Sequence, residues 1–180
     1  VGHGSVLEHA MLNFIFADVS RVVTHELVRH RTGTAISQES LRFVRLDTLS
    51  AYVPLHIRES ESGMEVFVRT FEELERIQRE LAALYAIDDE KKFDVKKKLT
   101  SAFRRMAPIG VATTIGWSCN FRTLRHVIEM RTDPHAEEEI RFLFGKVYHL
   151  VKNRYPNLFA DYEETDVDGL PWIRTAHPKI

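Results

Sequence analysis

Six apolar side chains constrain the architecture of this chain more than any other feature. Phe67, Phe71, Leu74, Ile77, Leu81 and Leu84 follow one another at steps of four, three, three, four and three. That rhythm keeps one face of an α-helix apolar from Gly63 to Ala86, about six turns. Such a face must be covered, by an ordinary core or by a subunit interface, and the sequence allows either. A second helix is expected from Asp88–Asp89 through Lys96–Lys98 to about Met106, stopped near Pro108. A short helix is expected over Thr123–Glu129. Asp133-Pro134 reads as an N-cap followed by a first-turn proline, opening a last long helix. That helix carries Ala136, Ile140, Leu143, Val147 and Leu150 inward and ends before Pro156.

Strand signals are fewer. Ala10–Ala17 alternates Leu12, Phe14 and Phe16 with Asn13 and Ile15. Asp18 or Ser20 can cap a helix that runs to about Arg29. Arg31–Glu39, polar and holding Gly33, reads as a loop, and Ser40–Leu46 as extended. Val111–Ser118, rich in Thr, Ile and Trp, suits a buried strand or an irregular apolar segment, and the acidic tail from Asn157 is expected to pack on the surface. Many helices with few strands give an α+β class with a small sheet. The 180 residues, 44% of them hydrophobic, suffice for one domain with a proper core, taken as 1–180. The polar opening Val1–Ser5 runs abruptly into ordered-looking sequence, so a preceding segment is expected.

Charge narrows the function classes. Lys+Arg 25 against Asp+Glu 26 leaves a net −1, without the basic excess of a nucleic-acid binder. The single cysteine, Cys119, rules out an intrachain disulfide and a cysteine-ligated zinc cluster. It sits in an apolar stretch, where a thiol is an inert core residue. No apolar run approaches the roughly 18 residues of a membrane span, and the start lacks the pattern of a signal peptide. A soluble, cytoplasmic, reducing setting is expected. Among the basic residues 17 are Arg and 8 are Lys. Arginine is the better fork for phosphate and carboxylate, although a source with biased composition gives the same excess.

His25-Glu26-Leu27-Val28-Arg29-His30 invites comparison with zinc proteases, but its histidines are five apart. At about 100° per residue they point about 140° apart around a helix, so no metal site is expected. Arg29-His30-Arg31 instead ends a helix, before a Gly- and hydroxyl-rich stretch, Ser40 and Arg42. Two readings stand: a site for phosphate groups, or a charged helix end stabilised by its dipole. A second cluster runs from Asn120 through Arg122, Arg125, His126 and Arg131 to His135, with Arg122 and His126 at i, i+4. Arg104-Arg105 ends another helix. Three arginine-bearing ends suggest a ligand with more than one phosphate.

These segments resemble the flavin-dependent thymidylate synthases. Arg29-His30-Arg31, Ser40 and Arg42 resemble that family's Arg-His-Arg tripeptide with a downstream Ser and Arg, the spacing being one residue longer here. Gly2-His3-Gly4-Ser5-Val6-Leu7-Glu8-His9 looks like its His-x-Ser/Thr-x-x-Glu-His segment. Asn120-x-Arg122-Thr-Leu and Arg131-Thr-Asp-Pro-His135-Ala look like a third block. The resemblance implies a small antiparallel sheet packed with several long helices. It also implies FAD as cofactor, dUMP as substrate, NADPH and 5,10-methylenetetrahydrofolate as co-substrates, and dTMP as product. Carried over residue by residue, Arg131 is the catalytic group that polarises the pyrimidine. Ser5, Arg29, His30, Arg31, Gln38, Asn120, Arg122 and His126 are flavin-contacting positions. Glu26, Arg29, Gln38, Glu39, Ser40, Leu41, Arg42, Arg104 and Arg131 are substrate-contacting ones, Arg104 from another subunit. Glu26 stands where other members carry Gln. A homotetramer with shared active sites is implied, with no nucleic acid and no membrane. Two other readings stay open: a relative that keeps FAD and nucleotide binding with altered substrate or without methylation, and a non-enzymatic module whose arginines recruit a phosphorylated partner.

Overall fold

The computed structural model describes residues 3–177. In chain order it contains β1 (Met11–Ser20), α1 (Arg21–Leu27), β2 (Thr34–Gln38), α2 (Leu55–Arg58), α3 (Glu61–Leu84), α4 (Phe93–Phe103), β3 (Ala112–Asn120), α5 (Phe121–Arg131), α6 (Glu138–Arg154), β4 (Tyr162–Val167) and β5 (Leu170–Thr175). Short 3-10 turns lie at Gly4–Glu8, Arg104–Met106 and Pro156–Leu158. The α+β class is as expected. Among the described residues no helix is long and apolar enough to cross a membrane.

One sheet has the order β1-β3-β2 and a second pairs β4 with β5. The Asn120 amide donates to the Gly33 carbonyl and the Glu39 amide to that of Thr114, so β2 and β3 run antiparallel. Central β3 buries alternate residues, Thr113, Ile115, Trp117 and Cys119, as a strand with one covered face must. The expected loop Arg31–Glu39 is corrected here, because most of it is β2. It is a half-exposed strand whose one large apolar residue, Ile36, produces no visible alternation.

The chain divides into two compact units. The first takes Val1–Phe16, Val23–Ser37 and Ile115–Ile180. Its core joins Trp117, Phe144, Tyr148 and Phe159, all fully buried, with Phe16 edge-on to Phe144. The inward face of α6 is Ile140, Phe144, Val147, Tyr148 and Val151, while Leu150 is exposed. That shifts the face expected from the sequence. Glu137, not Asp133, caps α6: its carboxylate accepts from the Glu139 and Ile140 amides at 2.8 and 3.2 Å. Asp133 instead accepts from the His135 amide in a separate turn. The tail is also corrected, for it forms the β4–β5 hairpin and puts Phe159 and Ile173 into the core. Gly145 admits it: a Cβ there would lie 2.5 Å from Pro171 Cγ.

The second unit takes Ala17–Val22 and Gln38–Thr114. One small core gathers Leu41, Leu46 and Val111, another Ala82, Ile87 and Phe103. Buried Gln78 donates to the Phe103 carbonyl at 3.1 Å, satisfying the end of α4. Helix α4 starts later than expected. Ala86, at φ 44°, and the Ile87 amide on the Ala82 carbonyl close α3 with a left-handed turn that consumes the residues before Phe93. Asp88 pairs with Arg45 instead of capping.

Candidate functional site

The site in the first unit is built where α1 stops. The Arg29 and His30 amides bond to Glu26 and Leu27, three residues back, so the last turn tightens. The Thr34 hydroxyl lies 2.9 Å from the His30 carbonyl oxygen and takes up an acceptor freed there. Gly33, at φ +68°, then turns the chain against the start of α5. A Cβ at Gly33 would lie 2.4 Å from Asn120 Nδ2 and 2.5 Å from Thr123 Oγ1. Two hydrogen bonds stitch this contact and a third secures the start of α5 beside it. The Asn120 amide donates to the Gly33 carbonyl, the Thr123 hydroxyl donates to the Thr32 carbonyl, and Asn120 Oδ1 caps α5 by accepting from the Thr123 amide.

The consequence is one cavity of about 600 Å³ lined by Arg29, His30, Arg31, Asn120, Arg122 and His126. These are six of the eight residues expected to contact flavin. Ser5 lies exposed on the Gly4–Glu8 turn and Gln38 belongs to the second unit. Glu8, Thr32, Gly33 and Thr123 complete the lining and were given no role from sequence. For Glu8 the signal was its place in the Gly2–His9 block; its carboxylate pairs with Arg122. Gly2 of that block lies outside the described residues.

Behind the cavity wall, Arg131 at the end of α5 is held by three bonds. Its Nε donates to His30 Nε2 at 2.7 Å, Nη1 to Glu26 Oε2 at 2.7 Å and Nη2 to the Glu26 carbonyl at 3.0 Å. The following residue is anchored too: the buried Thr132 hydroxyl lies 2.8 Å from the Ile128 carbonyl oxygen and accepts from the Ile173 amide at 3.0 Å. His30 is pushed down to about 4 by burial, then by the charges of Arg131 and His126. It is therefore neutral near pH 7, with Nε2 as the acceptor and the proton on Nδ1.

The remaining expected residues lie in the second unit. The Ser40 hydroxyl faces the Arg42 amide at 3.4 Å across a tight turn closed by the Phe43 amide on the Ser40 carbonyl. Arg42 is exposed, whereas the Leu41 side chain is buried with Leu46 and Val111. The Glu39 amide is tied to Thr114 and Arg104 opens a 3-10 turn. Cys119 is fully buried in the first unit and its thiol is pushed up to about 12, so no thiolate nucleophile is present there. Arg125 is structural: 4% exposed, it holds Asp161 at 2.7 Å and stacks over Tyr162.

The model of the family described as thymidylate synthase complementing protein matches residues 1–157. The chain belongs to this family, the flavin-dependent thymidylate synthases. A family member from Corynebacterium glutamicum, named flavin-dependent thymidylate synthase, is 37% identical over 173 residues, which is 94% of this chain and 69% of the relative. One from Clostridium tetani is 32% identical over 172 residues, covering 93% and 69%. The chain thus spans about two thirds of the length of the curated relatives it matches. Among solved structures, Thymidylate Synthase X (ThyX) from Helicobacter pylori, crystallised with FAD and dUMP, superposes with a TM-score of 0.61. It is 22% identical, with 88% of this chain and 76% of that one covered, and it shares the fold of the thymidylate synthase complementing proteins with this chain.

Proposed function

We propose that this chain carries out the reductive methylation of dUMP to dTMP, with FAD as cofactor, 5,10-methylenetetrahydrofolate as carbon donor and NADPH as reductant. The convergence of Arg29, His30, Arg31, Asn120, Arg122 and His126 on one cavity carries this reading. The donor set fits FAD. Three guanidinium groups and the side-chain amide of Asn120 suit diphosphate oxygens, and Gly33, with no Cβ, lets the loop that lines the cavity close against Asn120 and Thr123. When bound, the flavin supplies hydride drawn from NADPH.

The chain's own residues orient and polarise. Arg131, turned to the O2/N3 edge of uracil, stabilises negative charge as N3 loses its proton and C5 becomes nucleophilic. Neutral His30 fixes the direction of that guanidinium. Ser40, Leu41 and Arg42 hold the nucleotide phosphate, Leu41 through its backbone because its side chain is buried. Gln38, Glu39 and Arg29 border the substrate, Ser5 the flavin, and Arg104 reaches the phosphate from a neighbouring subunit. The protein works in the cytoplasm as a single domain assembled into a homotetramer. A second reading, FAD and nucleotide binding with altered substrate, is favoured by the Glu26 carboxylate on Arg131.

A thermal-shift series tests binding. At 100 times Kd, a ligand selective for the native state adds about 2.7 kcal/mol. FAD should raise the melting temperature and dUMP should raise it further. No shift with either would reject the proposal.

A further inference from the structure

Arg131 spends three of its five N–H groups inside the protein, two on Glu26 and one on His30. Glu26 holds it twice, through its carboxylate and its carbonyl, from the tightened last turn of α1. The side chains are 16% and 31% exposed, so the pair is only partly screened by water. Glu26 also acts on Glu137, the cap of α6. That carboxyl is raised above the ordinary range by burial and, less, by Glu139 and Glu26. For Glu26, Arg131 is the cation in contact and Glu137 a like charge, so the pairing with Arg131 is strongly directed.

A guanidinium held this way differs from a free arginine in two respects. It has one direction, because a carboxylate, a carbonyl and an imidazole select a single rotamer. It also presents less positive charge, because a full negative charge lies 2.7 Å from Nη1. The N–H groups left over, one on Nη1 and one on Nη2, are those available to a ligand. We propose that Glu26 is a positioning residue that aims Arg131 and offsets part of the charge it presents to an anionic pyrimidine nucleotide. This rests on the reading of Arg131 as the uracil-facing group. Charge and aim are separable. Replacing Glu26 by Gln keeps an acceptor of the same reach and removes the charge. Ala removes the charge and the side-chain acceptor, leaving only the backbone carbonyl and His30 to aim the guanidinium, and Asp keeps the charge while shortening the reach.

The test uses FAD-loaded protein with dUMP as the probe, reading Kd by calorimetry and kcat by dTMP formation, for wild type, Glu26→Gln, Glu26→Ala and Glu26→Asp. Loss of the opposing charge should tighten dUMP about three- to tenfold in the Gln and Ala variants. Asp should bind within about twofold of wild type. Turnover should fall at least about fivefold further in Ala than in Gln, the amide oxygen rescuing the aim. If Ala does not fold, Asp carries the second arm, with near-normal Kd and reduced kcat. Unchanged dUMP affinity in Gln, or equal kcat in Gln and Ala, overturns the proposal. Loss of dUMP binding in Arg131→Ala beside unchanged binding in Glu26→Gln overturns it while leaving the assignment of Arg131 intact. Folded, flavin-loaded wild type that does not bind dUMP overturns both.

Discussion

Arg131 donates its Nε–H to Nε2 of His30 across 2.7 Å, and the acceptor is a histidine that burial keeps neutral. The two residues lie 101 positions apart in the chain. This bond joins the end of α1 to the end of α5 and gives the site its orientation.

His30 should resist protonation. Its folded value of about 4 lies below the ordinary 6.5, so the unfolded chain binds the proton more readily. The stability due to neutral His30 is complete above about pH 6.5 and is lost as pH falls through about 4. Nitrogen-15 NMR of the ring should show the proton on Nδ1 and no titration between pH 8 and 5. A midpoint near 6.5 would contradict the buried acceptor.

Gly33→Ala should damage site and stability together. The substitution places a Cβ on Asn120 and Thr123 in a left-handed backbone, costing about 1–3 kcal/mol. Denaturant melts should show the loss, and FAD titration a weaker affinity. A variant equal to wild type in both would contradict the close contact.

Asp161 should mark a separate acid transition. The Arg125 hydrogen bonds push it down to about 2, helped by the Thr175 hydroxyl and opposed by burial. A depressed carboxylate contributes stability above its unfolded value and loses it as pH falls through the folded one. Melting temperature should therefore drop between pH 4 and pH 2. Asp161→Asn should start lower and fall less over that window; parallel curves would contradict the pair.

Gly145→Ala tests the hairpin. Its Cβ would meet Pro171 at 2.5 and 3.3 Å, and overpacking of this kind costs about 1–3 kcal/mol. Chemical denaturation should show the loss, since the contact holds β5 on α6. An unchanged midpoint would mean that the hairpin does not pack there.

The long elements were legible because their apolar spacing exceeds local noise. The period of Phe67 to Leu81 announced α3, and the Thr-, Ile- and Trp-rich run Val111–Ser118 pointed to β3. Their ends were not, because ends are set by contacts between distant segments. Capped by Asn120, α5 begins two residues before the expected start, and the Ala86 turn delays α4. The β4–β5 hairpin was missed although Asp168-Gly169, both at positive φ, carried the signal of a two-residue turn. Acidic residues on its exposed faces hid the strands. In the site, motif residues named Arg29, His30, Arg122 and Arg131, but spacing could not show that His30 accepts from Arg131. Nor could it show that Glu26, met first in a mistaken zinc-like pattern, holds the same arginine.

The most direct measurement is dTMP produced from dUMP, 5,10-methylenetetrahydrofolate and NADPH by flavin-loaded protein, wild type against Arg131→Ala. The account expects product from wild type and a loss of about 10²–10³ in kcat in the variant, with flavin absorbance retained. Full turnover without Arg131, or no dTMP from folded, flavin-loaded wild type, would contradict it.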